Sequence, residues 1–396
     1  METAARRIYL DHAATTPLRP EVRAAMEPYL GERFGNPGSL HAEGREAREA
    51  LEQARSMLRA LCGAGEFDLV LCSSGTEANH LAVLGSLLAK QREALSRPSS
   101  GRHEVVASAV EHPSVLNQAE LVESLGAVFS IASVDSGGRA DLAAIDAALR
   151  RGASIVSLMA ANNETGALEP FVEAGLLAKR AGASMHVDMV QFLGKLPIRL
   201  DDLPVDLVTV SAHKVHGPRG AAGLFVRRGT HIEATLRGGS QEGGLRAGTE
   251  NVAAAVGFAR AVQLAENERT ETMGRLGELR DAFRREIETK FSRARVNTPR
   301  EALPTILNVS FPTVEGESLV RLLDARGVAT STGSACSAGA HKPSHVLRAM
   351  GRSEREIRGS IRFSLGRGNV ASDLPSAVEA LGAAVRQLEA IAPASV

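Results

Sequence analysis

The chain of 396 residues contains no tryptophan and only two tyrosines, so it lacks the aromatic platforms on which single-stranded nucleic acids stack. It lacks net charge as well. Lys plus Arg and Asp plus Glu each number 46, which leaves no basic footprint for nucleic acid or an anionic membrane. Cysteine is scarce: Cys62, Cys72 and Cys336 are too few for a disulfide framework, and the odd number leaves at least one thiol free. No CxxC pair suggests zinc, and the cysteine usage points to a reducing, cytoplasmic setting. No apolar run approaches the ~20 residues that span a bilayer. The opening stretch METAARRIYLDHAATTP has two arginines with no apolar stretch behind them, and is not read as a secretory signal.

What remains is an ordinary globular composition, 44% apolar and 23% charged, long enough for two domains. From about residue 66, seven apolar runs of strand length recur: FDLVLCSS, EVVASAV, AVFSIAS, SIVSLMA, SMHVDMV, DLVTVSA and AGLFVRR. Amphipathic stretches such as SVLNQAELVESLG and FVEAGLLAKRAG lie between most of them, the second closed by a glycine as helices often are. This alternation predicts an α/β fold, a mainly parallel seven-stranded sheet flanked by helices. Runs that are apolar on both alternations fit a sheet buried on both faces.

After residue 228 a glycine-rich loop leads to a helix over about 250–291, whose charged second half reads as a solvated face. A smaller α+β unit follows, built from TILNVSF, SLVRLLDARGV, SHVLRAMG, SIRFSLG and a last helix near 372–392. The boundaries expected are 15–260 for the large domain, with 1–14 and 261–396 forming the small one. Residues 91–103 have loop composition and read as an exposed excursion.

Three places carry chemistry. Lys214 in SAHKVHGP follows the strand DLVTV, at the strand end where open α/β sheets bind ligands. A lysine there can form a Schiff base with a carbonyl cofactor. Asp188 and Gln191 in HVDMVQ close the preceding strand, and a carboxylate aimed at a pyridine nitrogen keeps a pyridoxal ring an electron sink. The turn SSGTEANH offers backbone amides and the Thr76 hydroxyl at a helix start, which suits a phosphate. A Ser or Thr before a helix is by itself only an N-cap; beside Asp188 and Lys214 it becomes the third corner of a pyridoxal 5'-phosphate (PLP) site. His213 and His216 stand three apart, but no third ligand follows and no metal is expected. Cys62 and Cys72 read as small hydrophobes, and Met189 as core packing.

Ten motifs in order, YLDHAATTP, FGNPGSLH, SSGTEAN, EHPSV, NNETG, HVDMVQ, SAHKVHGP, GGSQEGGLRAGTEN, GSACSAG and IRFSLGR, resemble the cysteine desulfurases of the NifS/IscS kind. These are class V, fold-type I PLP enzymes, and the resemblance covers nearly the whole chain. It implies conversion of L-cysteine to L-alanine, with the sulfur carried as a persulfide on Cys336. Lys214 would bind PLP covalently, Asp188 would pair with the pyridine nitrogen and Gln191 with the phenolic oxygen. His112 would stack on the ring and assist catalysis. Gly75, Thr76, Ser211 and His213 would hold the phosphate, with Thr249 reaching it from the other subunit of a homodimer. Asn163, beside the cofactor, and Asn36 would orient the substrate, and Arg362 would clamp its carboxylate. Arg358 and Arg367 flank Arg362 and could be confused with it.

The segment TSTGSACSAGAHK around Cys336 holds only small or polar residues, and residues 331–342 are expected to move between the cofactor and an external acceptor. A sulfur-acceptor protein, an iron–sulfur scaffold or a carrier, is therefore an expected partner. Two other readings stay open: a lyase of selenocysteine or another sulfur substrate on the same scaffold, and a non-catalytic assembly scaffold.

Overall fold

The computed structural model describes residues 7–96, 103–332 and 343–391. Cys336 and most of the segment expected to move lie outside these. Strands of the described chain are β1 (Ile8–Tyr9), β2 (Phe67–Cys72), β3 (Glu104–Ser108), β4 (Val128–Ala132), β5 (Ala153–Met159) and β6 (Ser184–Asp188), then β7 (Leu207–Ser211) and β8 (Ala222–Arg227). The small unit adds β9 (Arg295–Val296), β10 (Ile306–Ser310), β11 (Val328–Ala329) and β12 (Ser360–Ser364).

Each of the seven apolar runs forms a strand of one sheet, in the order β2-β8-β7-β6-β5-β3-β4. Only β8 runs against its neighbours. The others pair in parallel. Strands β3 and β7 are buried at every position, as a sheet covered on both faces requires. One covering helix, Phe171–Ala181, ends on Gly182 at φ 72°, a left-handed cap that costs glycine nothing.

A second apolar cluster joins Leu10, Phe283, Leu307, Leu323, Phe363 and Leu381 around β10, which pairs antiparallel with β9 and β12. β1 belongs to this region, parallel to β11. The 39-residue helix Val252–Lys290 links the two clusters, packing Phe258 and Val262 into the first and Phe283 and Ile287 into the second.

Two expectations change. Residues 91–96 continue the helix Gly75–Ser96, where Gln91 Nε2 donates to Leu125 O at 2.8 Å and Arg92 Nη1 to Glu233 Oε1 at 2.7 Å. The charged half of the long helix is only partly solvated: Glu268, Arg269, Thr272 and Met273 wall a small cavity instead. No helix among the described residues is long and apolar enough to cross a membrane.

Candidate active site

The parallel strands β2, β3, β5, β6 and β7 deliver their C-terminal ends to one edge of the sheet, and a cavity of about 220 Å³ opens there. Gly75, Thr76, His112, Asn163, Asp188, Gln191, Ser211, His213 and Lys214 all line it. Helix Gly75–Ser96 begins at its wall. Ser74 Oγ accepts from Glu77 N at 3.1 Å, which leaves the Gly75 and Thr76 amides of the first turn without intrahelical acceptors. A Cβ on Gly75 would stand 3.1 Å from Val190 Cγ2, so any larger residue would require Val190 to shift by a few tenths of an ångström.

Asp188 is buried at the end of β6. Its Oδ2 accepts from Asn79 Nδ2 at 2.8 Å and its Oδ1 from Val190 N at 2.9 Å. The other Asn79 amide hydrogen goes to Ser114 Oγ at 2.8 Å. Ser114 in turn meets His112 Nδ1 through its hydroxyl at 2.8 Å and its N–H at 3.1 Å. Because Nδ1 accepts, the neutral ring carries its hydrogen on Nε2, on the opposite edge. Burial is the main reason that His112 protonates less readily than a free histidine, and Lys214 and His345 add to it. Asn79 and Ser114 were not singled out from the sequence. An asparagine in the apolar helical stretch ANHLAVLGSLLA was the available signal.

Lys214 follows β7 in a single 3-10 turn, and its Nζ donates to the carbonyls of Ala13 (2.6 Å) and Ala14 (2.8 Å). Ala13 O also takes Gln191 Nε2 at 3.0 Å. A second lysine lies behind this wall: Lys195 Nζ donates to Gln191 Oε1 and to Gln191 O, both at 2.9 Å. Burial, then the charges of Lys214 and Arg362, bring the Lys195 pKa down to about 7. His213 is held by Thr15 Oγ1 at 3.2 Å, and burial with the nearby Lys214 lowers it to about 4, so it is neutral near pH 7.

Arg362, on β12, is 1% exposed. Its Nη2 donates to Asp11 Oδ1 at 2.8 Å and its Nη1 to Asn163 O at 2.9 Å, while Nε has no partner among the described residues. The Arg362 backbone pairs with that of Ser331, which is buried, so the chain is still fixed at the start of the segment expected to move. At the far end Ser344 Oγ donates to Glu164 Oε2 at 2.6 Å, and His345 Nε2 lies 2.9 Å from Glu111 O. Both flanks of the Cys336 segment are thus tied beside Asn163 and Arg362.

Three described residues of the expected site are not part of the cavity lining: Arg362 adjoins it through its bond to Asn163 O, and Asn36 and Thr249 stand apart from it. Asn36 is exposed, its Oδ1 accepting from Gly38 N at 2.9 Å. Thr249 is exposed and lines a neighbouring cavity of about 180 Å³ with Ser73, Glu242 and Arg246. Cys62 and Cys72 are buried, and burial raises both thiols, Cys62 to about 12. Among the described residues no group of three His, Cys, Asp or Glu side chains could hold a metal ion.

The donor set suits PLP. The fixed Asp188 carboxylate, the first turn at Gly75 and Thr76 with Ser211, and the Lys214 amine share the lining of one cavity. The buried Asn79 Oδ1 has no partner among the described residues. A cationic ring nitrogen, a phosphate and a carbonyl carbon are complementary to the first three.

The family model for class-V aminotransferases matches residues 8–376. The chain is 43% identical to the cysteine desulfurase IscS of Dictyoglomus turgidum, over 98% of this chain and 97% of that one. Among solved structures, a NifS-like protein aligns with a TM-score of 0.86 at 32% identity, over 97% of this chain and all of the other. SspA in complex with cysteine aligns with a TM-score of 0.77 at 31% identity, over 92% of this chain and 100% of that one.

Proposed function

The chain belongs to the class-V aminotransferase family and is a cysteine desulfurase within it; we propose that its Lys214 cavity takes PLP and L-cysteine and that sulfur leaves on Cys336. The observation that carries this reading is the placement of Lys214 and Asp188 after adjacent parallel strands, on one cavity with the first turn of helix Gly75–Ser96.

Gly75, Thr76, Ser211 and His213 would hold the phosphate, Asp188 the ring nitrogen, Gln191 the ring oxygen, and His112 a ring face. When bound, PLP supplies an electron sink for the α-carbon of an amino acid joined to it. Asp188 keeps its charge aimed because Asn79 and Val190 fix both carboxylate oxygens. Lys214 Nζ is the group placed to give up and take back a proton at the substrate's carbon atoms. His112, kept neutral by burial, offers Nε2–H as a donor. Arg362 Nε and the remaining guanidinium hydrogens are the donors available for the substrate carboxylate, with Asn163 alongside.

The net step balances without an external oxidant. The C–S bond of cysteine breaks, an S–S bond forms to Cys336 Sγ, and the β-carbon receives a hydrogen to become the methyl of alanine. Carbon is reduced, and the substrate sulfur and Cys336 sulfur are together oxidised, by the same two electrons. The tie of Ser331 to Arg362 and of Ser344 to Glu164 supports Cys336 as that thiol, because it brings both flanks of its segment to the substrate end.

Thr249, exposed beyond the Ser73 turn, supports a homodimer in which each subunit's threonine completes the other's phosphate site, with Asn36 a second residue placed by assembly. The persulfide then passes to a sulfur-acceptor protein. The two apolar clusters support a division into two domains within the long helix. The test is to load the protein with PLP and follow alanine against cysteine and selenocysteine. Cysteine turnover that disappears in Cys336→Ser supports the reading, and wild-type turnover in that variant rejects it.

A further inference from the structure

We propose that Lys195 is a positioning residue that locks the side-chain amide of Gln191 in one of its two orientations, so that an N–H and not a C=O faces the cofactor. The inference rests on the reading of the cavity as a PLP site.

An amide has a donor end and an acceptor end of nearly equal shape, and only its neighbours decide which end points where. A lysine side chain, when charged, donates only. Its Nζ is 2.9 Å from Gln191 Oε1, so in the charged form the oxygen of that amide must point at Lys195. Gln191 Nε2 then points to Ala13 O at 3.0 Å, which uses one of its two hydrogens and leaves the other for the cavity that Gln191 lines. The flipped amide would set N–H against ammonium and carbonyl against carbonyl.

The backbone builds this lock locally. Lys195 lies four residues after Gln191, and its second bond, to Gln191 O at 2.9 Å, ties it to the same turn. The turn closes through Gly194 at φ 68°, where a Cβ would stand 2.9 Å from Ala265 Cβ and 3.0 Å from Val215 Cγ1. A lone cation in the apolar stretch VQFLGKLPI therefore has its ammonium fixed against one side chain. The charged and titratable groups around it are Lys214, Arg362, His12, His213, His216 and Glu268. Lys214 and Arg362 oppose a second positive charge here, and Arg19, Arg269 and Arg367 also line the adjoining cavity. Burial keeps the histidines from protonating, so orienting Gln191 is the role the hydrogen bonds single out.

A donor held toward the oxygen of the cofactor ring stabilises its negative charge. Loss of that donor weakens cofactor binding and makes the bound cofactor protonate more readily. The experiment uses wild type, Lys195→Met, Lys195→Gln, Gln191→Met and the double variant, each stripped of PLP and titrated with it. The readouts are the dissociation constant and the pH midpoint of the visible band without substrate. Lys195→Met is expected to weaken binding about ten-fold and to raise the midpoint by about one pH unit. Lys195→Gln, a donor without charge, stays within about three-fold of wild type, and Lys195→Met adds nothing in the Gln191→Met background. Met and Gln variants that are equally displaced, additive effects in the double variant, or no effect of Lys195→Met would each overturn the proposal. If Lys195→Met does not fold, neutron diffraction of the unmodified PLP-bound protein decides: deuterium on Gln191 toward the cofactor supports the lock, and an inverted amide refutes it. Failure of wild type to bind PLP would reject the active-site reading itself, which keeps the two claims separable.

Discussion

Arg362 Nη2 and Asp11 Oδ1 meet at 2.8 Å across 351 residues of chain, so the guanidinium expected to grip substrate is already held by a carboxylate. Arg362 is 1% exposed, and a buried cation without a counter-charge is costly.

Asp11→Ala therefore removes stability and alignment together. Urea unfolding of Asp11→Ala should show a loss of about 3 kcal/mol. The KM for cysteine should rise on the order of ten-fold, with a smaller change in kcat. Asp11→Asn keeps an acceptor and should lose less of both. Wild-type stability and KM in Asp11→Ala would mean that the pair is incidental.

Lys214→Ala should bind PLP without the visible absorbance of a lysine-linked cofactor and form no alanine. Its bonds go to two backbone carbonyls of the N-terminal segment, so the thermal midpoint should move by only a few degrees, as for a change of about 1 kcal/mol. Retained turnover would exclude Lys214 as the cofactor lysine.

The three thiols should separate cleanly. Burial raises Cys62 to about 12 and pushes Cys72 up as well, so neither has a useful thiolate fraction at neutral pH. Cys62→Ala and Cys72→Ala should each cost about 1 kcal/mol of stability and leave desulfuration within two-fold. Cys336→Ser should stop it. Mass spectrometry after brief iodoacetamide treatment of the folded protein should find Cys62 and Cys72 unmodified.

His186 should contribute to the acid limb of stability. It sits fully buried between Ser157 Oγ at 2.8 Å and Thr209 Oγ1 at 3.0 Å, and burial lowers its pKa from 6.5 to about 4. Above pH 6.5 the ring is neutral in both folded and unfolded chains, and its contribution is fully present. Between 6.5 and about 4 the unfolded chain binds a proton that the native ring refuses, so stability falls as the pH drops. Unfolding free energies at pH 7 and 4.5 should show wild type losing roughly 2 to 3 kcal/mol more than His186→Gln. Equal losses would assign the acid limb to other groups.

The inner strands β3 and β7 were legible because a strand buried on both faces must be apolar at nearly every position, and that pattern is local. The start of helix Gly75–Ser96 and the helix ending at Gly182 were legible from local signals, a serine that caps the first and a left-handed glycine that closes the second. The charged half of the long helix misled, because charge in a sequence does not say whether solvent or an opposite wall faces it. Asn79, Ser114 and Lys195 carried only the faint signal of a polar residue in an apolar run.

The sequence by itself determined the order of strands and helices, the strand ends on which Asp188 and Lys214 sit, and the membership of the family. Periodicity and motif spacing record local burial and backbone demand, and those survive in one dimension. Only the tertiary structure decided which partner each polar group meets: Asp11 for Arg362, Ala13 O for both Lys214 and Gln191, Gln191 for Lys195. Those pairings come from segments brought together when the sheet and the small unit close. A hydrogen bond needs a donor and an acceptor within about 3 Å, a distance that spacing along the chain does not fix.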